Sequence, residues 1–158
     1  MPSKKEEIKS IKQGWIGSEI IISYRKVIML HEAITKYEDV YQMIKGVWDH
    51  SLINLQEQFM AFYLNSANRL IGYRLINTGS MTQCSIDIKL VVSLALHSMA
   101  TTVILAHNHP SGSLKPSQQD EMVTGRIKSA LQLIDVRLLD HFIITEDAYL
   151  SFQEQGLM

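Results

Sequence analysis

The chain has 158 residues, 15 Lys and Arg against 16 Asp and Glu, and 46% hydrophobic residues. That length suits one domain with its own core, and the composition excludes wholesale disorder and fibrous or coiled-coil classes. The formal charge of −1 offers no field that recruits a polyanion, and there is neither a run of 18 apolar residues nor a signal-peptide pattern, so a membrane is not an expected partner.

Residues 1–17 carry Lys4, Lys5, Lys9 and Lys12 among Glu6 and Glu7 with little apolar periodicity, and read as a solvated arm ahead of a single domain over 18–158. Ile20 to Tyr24 is β-branched and aromatic, as in a short strand. Thr35 with Glu38 makes a capping-box pattern before Val40, Met43, Ile44 and Val47, which predicts an amphipathic helix. Gln56 to Leu64 alternates between two apolar sides, so a strand covered on both faces is expected there. A turn at Asn65 to Asn68 leads into a second strand, Leu70 to Ile76, with its exit at Asn77 and Gly79. A helix near Ile88 to Met99 follows, its inward stripe being Ile88, Val91, Val92, Ala95 and Met99.

Thr101 to Ala106 is wholly apolar or β-branched and predicts a buried central strand that runs directly into His107, Asn108, His109 and Pro110. Pro116 and Ser117 open a long helix with the stripe Val123, Ile127, Ala130, Leu131 and Ile134. Asp135 breaks it, Arg137 to Thr145 forms a further strand, and Tyr149 to Phe152 adds a short terminal one. Strands too apolar to face water, alternating with helices, predict an α/β class with helices on both faces of a mixed sheet.

Side chains two apart on an extended chain point the same way, so His107 and His109 can present two imidazoles to one point. Asp120 lies three residues before Val123 and seven before Ile127, which aims it inward on the helix. An inward carboxylate needs a cation, a metal or several donors. Cys84 is the single cysteine, which fits a reducing cytoplasm and leaves metal chemistry to histidines and carboxylates. Two histidines and an aspartate with a fourth position open to water describe a catalytic zinc set. Glu57, an acid at the entrance of an apolar strand, is the candidate general base, and Ser117, one turn before Asp120, the candidate oxyanion donor. Read alone, Ser117 and Asp120 fit a helix capping box better than a site, and Glu57 a solvated strand end.

His107-Asn108-His109-Pro110, six residues, then Ser117-Gln118-Gln119-Asp120 resembles the JAMM motif of the JAB/MPN metallopeptidase superfamily, with Glu57 upstream. The wider string, from Gln56-Glu57-Gln58-Phe59 to LLDHFIIT, is similar to the RadC branch of that superfamily. The resemblance implies a cytidine-deaminase-like α/β/α fold, Zn2+ on His107, His109 and Asp120, Glu57 as general acid/base and Ser117 as oxyanion donor. It further implies cleavage of a peptide or isopeptide bond in a protein substrate, in a bacterial cytoplasm. The RadC branch also carries a DNA-repair label, so the alternative is a DNA-repair or recombination accessory module with little hydrolytic activity. Longer relatives of that branch bear a helix-hairpin-helix module that the first 50 residues lack, and a nucleic-acid partner is correspondingly less expected. Zinc nucleobase deaminases need Pro-Cys-x-x-Cys, which is absent. Three neighbouring letters His-Asn-His are not the scattered residues of an HNH nuclease.

Outside the site, adjacent Asp140 and His141 point to opposite sides of a strand, and a structural hydrogen bond is expected for one of them. His97 is expected at the surface, Arg126 and Lys128 on a solvated face, and Trp15, Trp48 and most methionines in the core.

Overall fold

A computed structural model describes residues 20–21, 23–25, 33–79 and 86–158. Its elements run α1 (Tyr37–Val47), β1 (Gln58–Leu64), β2 (Leu70–Thr78), α2 (Ile88–His97), β3 (Thr102–Asn108), α3 (Gln118–Gln132), β4 (Arg137–Ile144) and β5 (Tyr149–Ser151). The five strands form one mixed sheet in the order β2-β1-β3-β4-β5. Only β3 and β4 are parallel, because α3 returns the chain between them; the other neighbours are antiparallel.

Two cores lie on opposite faces of the sheet, and strand alternation sorts the side chains between them. Phe59, Ala61 and Tyr63 of β1 join Val103 and Leu105 of β3 against α2 and α3, through Val91, Ala95, Val123, Ile127 and Leu131. Met60, Phe62 and Leu64 join Ile104, Ala106, Phe142 and Ile144 against α1, through Val40, Met43 and Ile44. Every residue of β1 and β3 is buried, as the two-sided apolar pattern requires. Each fully buried large apolar side chain contributes about 1.5–3 kcal/mol, so the double-faced sheet is the main source of stability.

Some local expectations shift. Ile20, Ile21 and Tyr24 are 85%, 79% and 62% exposed and in no strand, and Ile22 lies outside the described residues. β-Branched residues hold a strand only where neighbours cover them. Helix α1 is closed by Asp39 rather than Glu38: its carboxylate accepts from the Thr35 and Lys36 N–H groups at 3.0 and 3.1 Å. Met99 adopts φ 53° past the end of α2 and is 82% exposed, so it ends the helix instead of continuing the stripe. Met122 is also exposed, while Met43, Met60 and Trp48 are buried. The predicted arm, Trp15 and Cys84 lie outside the described residues. Among those described, no helix is long and apolar enough to cross a membrane.

Candidate metal centre

Topology brings the chemistry to one end of the sheet's central strands. β1 runs antiparallel to β3, with Phe59 paired to His107, so the start of β1 meets the end of β3. Helix α3 begins after the loop that leaves β3, which puts its first turn at the same end of the sheet. Glu57 precedes β1, His107 is the last residue but one of β3, His109 follows the strand, and Asp120 sits in the first turn of α3. One ligand atom from each of these four residues lies within 4.8 Å of all the others.

The inner ligands are buried: His107 is fully so and Asp120 is 1% exposed. His107 Nε2 stands 3.0 Å from His109 Nε2 and 3.3 Å from Asp120 Oδ1, and His109 Nε2 is 3.6 Å from Asp120 Oδ2. Tetrahedral zinc with bonds of about 2.0–2.1 Å spaces its ligands by about 3.3–3.4 Å. The donor set and its spacings therefore fit that ion. The second nitrogen of each ring is occupied elsewhere. His109 Nδ1 contacts the Ser113 carbonyl at 2.7 Å, which as an acceptor requires Nδ1–H and leaves the Nε2 lone pair toward the cluster. His107 Nδ1 is 2.8 Å from His141 Nε2. His107 Nε2, His109 Nε2 and the Asp120 carboxylate thus meet at one point, in an arrangement compatible with metal coordination.

Electrostatics agree. Burial works against a charged Asp120, but His107 and His109, with the Ser117 N–H, outweigh it and hold the carboxyl well below the usual carboxylate range. Asp120 in turn raises the His109 imidazole above its ordinary value, against the opposing effect of burial. The capping box and the cluster coexist, because Asp120 Oδ2 accepts from Ser117 N–H at 2.7 Å while Ser117 Oγ accepts from Asp120 N–H at 3.1 Å. Ser117 is exposed beside the cluster at the N-terminus of α3.

Three residues that pattern reading did not assign to the site complete its surroundings. Asn108, fully buried, turns away from the histidines to the opposite face of β3. Its Oδ1 accepts from Gln58 N–H at 2.7 Å, and its Nδ2 donates to the Ile53 and Gln56 carbonyls at 2.7 and 2.8 Å. These bonds bracket Glu57. On the far side, Glu57 O accepts from the N–H of Gly79, whose φ of 109° suits a residue without Cβ. Thr124 Oγ1 reaches the Asp120 carbonyl and His141 Nδ1, each at 2.6 Å. His141 is fully buried between Phe59 and Phe152, and burial pushes its imidazole well below the ordinary value.

Asp140 accepts from the His141 and Gln153 N–H groups and from the Ser151 hydroxyl, while the His141 ring bonds in a different network, so both side chains of the adjacent pair are hydrogen-bonded. His97 is exposed, its Nδ1 bonded to the Ser93 carbonyl one turn back.

The family profile described as RadC-like JAB domain matches residues 34–157. A UPF0758 protein of Flavobacterium johnsoniae is 38% identical over 140 residues, 89% of this chain and 57% of that protein. One of Acidovorax sp. strain JS42 is 50% identical over 102 residues, 65% of this chain and 43% of its own length. One of Leptothrix cholodnii is 35% identical over 157 residues, 99% of this chain and 67% of its own length. The chain thus spans about half the length of several curated relatives it matches.

Proposed function

The chain belongs to the RadC-like JAB domain family, and we propose that it is a zinc-dependent hydrolase of peptide or isopeptide bonds, with His107, His109 and Asp120 as ligands. The observation that carries this reading is the convergence of two imidazoles and two carboxylates within 4.8 Å at the ends of two buried central strands. Zinc bound there would supply Lewis acidity toward a carbonyl and a water that ionises near neutral pH.

The remaining work falls to the chain's own side chains. Glu57 takes a proton from the attacking water and returns it to the leaving amine nitrogen, a role typically worth about 10²–10⁴-fold in rate. The bonds that Asn108 and Gly79 make on either side of Glu57 fix the backbone from which it acts. Ser117 accepts from the Asp120 N–H and still has its hydroxyl hydrogen to donate to an oxyanion.

Elemental analysis of wild type and Glu57→Gln, followed by assays of both on peptides, isopeptide-linked conjugates and nucleic acids, tests the proposal. The expected result is one zinc per chain in each protein and turnover of a peptide or isopeptide in wild type alone. Absence of zinc from wild type, or undiminished hydrolysis by Glu57→Gln, would falsify it.

A further inference from the structure

His141 and Thr124 contribute no atom to the four-residue cluster, yet both are buried and joined to it in a line. The line runs from the Asp120 carbonyl through Thr124 Oγ1 and His141 Nδ1, then from His141 Nε2 to His107 Nδ1, with contacts of 2.6, 2.6 and 2.8 Å. Counting hydrogens fixes its direction. A carbonyl can only accept, so the single hydroxyl hydrogen of Thr124 goes to Asp120 O. His141 Nδ1 must then donate to Thr124 Oγ1. Its ring lies between Phe59 and Phe152 with no carboxylate among the described residues in hydrogen-bonding contact, which favours the neutral imidazole and leaves Nε2 as an acceptor. His107 Nδ1 can meet that acceptor only as N–H, which leaves His107 Nε2 with a lone pair.

We propose that Thr124 and His141 are positioning residues that lock His107 in the tautomer able to bind a metal through Nε2. The inference rests on the metal reading above and extends it to two residues beyond the ligands, Thr124 on α3 and His141 on β4. Without the Thr124 hydroxyl, His141 can place its hydrogen on Nε2. His107 must then accept at Nδ1 and carry its own hydrogen on Nε2, where the ligand lone pair is needed. Thr124 lies on α3 four residues after Asp120, so one helix turn supplies a ligand and sets the tautomer of another.

The test compares Thr124→Val, of nearly the same shape, with Thr124→Ser, which keeps the hydroxyl. Zinc affinity is measured by competition with a chelator, and the melting temperature of each metal-free variant confirms folding. Removal of such outer hydrogen bonds typically weakens metal binding by about 10–100-fold, and that loss is expected for Val, with recovery in Ser. Nitrogen-15 NMR of zinc-loaded wild type, which needs no variant, is expected to show the His141 hydrogen on Nδ1. Equal zinc affinity in a folded Thr124→Val protein, or a His141 hydrogen on Nε2, overturns this inference and leaves the metal site standing. Failure of wild type to bind zinc removes both.

Discussion

Two carboxylates are buried almost equally, Asp120 at 1% and Asp140 at 2% exposure, and their surroundings have opposite effects on them. Asp140 is met by neutral donors: two backbone N–H groups and the Ser151 hydroxyl. Burial outweighs those donors and raises its pKa. Asp120 has one backbone donor and two imidazoles, and its pKa is lowered although burial opposes that. The end of β3 repeats the contrast, since Asn108 has its oxygen and amide satisfied by backbone, while His107 keeps one nitrogen turned to a second imidazole and a carboxylate. A polar group that neutral donors complete is holding the fold together. One that two imidazoles and a second carboxylate surround belongs to a donor set compatible with a metal ion.

The largest expected effect separates the two acids directly. Asp120→Asn keeps the shape of the side chain but removes its charge, and it should lose zinc on dialysis, whereas Asp140→Asn should keep full stoichiometry by elemental analysis. Equal retention, or equal loss in two folded proteins, would erase the distinction. Next comes Asn108→Ala, which strands the Ile53 and Gln56 carbonyls and the Gln58 N–H at a cost of about 1–3 kcal/mol for each group left unpaired. For a domain of this size each kcal/mol lowers the melting temperature by about 2–4 °C. The expected signature is a clear thermal loss with zinc stoichiometry retained, because the bonds removed face away from the ligands and toward the backbone that carries Glu57. A melting temperature equal to that of wild type would show that the amide holds nothing.

The contrast also shows how far the sequence could be read. Alternation in β1 and β3 and the three-residue offset of Asp120 from Val123 report which way side chains face, which made strands covered on both faces and an inward Asp120 legible, while the grouping of Glu57 with His107, His109 and Asp120 also drew on the motif resemblance. Facing is local. The partner of a buried polar group is not: Asn108 bonds 50 to 55 residues back, and His141 reaches His107 34 residues away. Asn108 was legible only as a residue between two histidines, Thr124 only as a polar neighbour of Val123, and His141 only as half of an adjacent pair. The strand expected at Ile20 to Tyr24 failed for the related reason that propensity does not supply a covering neighbour.

The smallest effect, and the finest test of the Asp140 half of the comparison, is a slope. Because the folded protein raises the Asp140 pKa above the unfolded value near 3.8, the native state binds the extra proton between those two values. Stability from this group therefore falls as pH rises through that window and is constant above it. Asn at this position can reproduce the contacts. Its Oδ1 accepts the two N–H groups that now meet Asp140 Oδ1, and its amide can donate to Ser151 Oγ. Asp140→Asn should thus gain stability relative to wild type with rising pH across the window, read as a growing difference in urea midpoint at fixed ionic strength, and then level off. Other titrating groups cancel in that difference. A difference that shrinks with pH would mean that Asp140 is held as an anion, like Asp120, and that its neutral donors do more than offset burial.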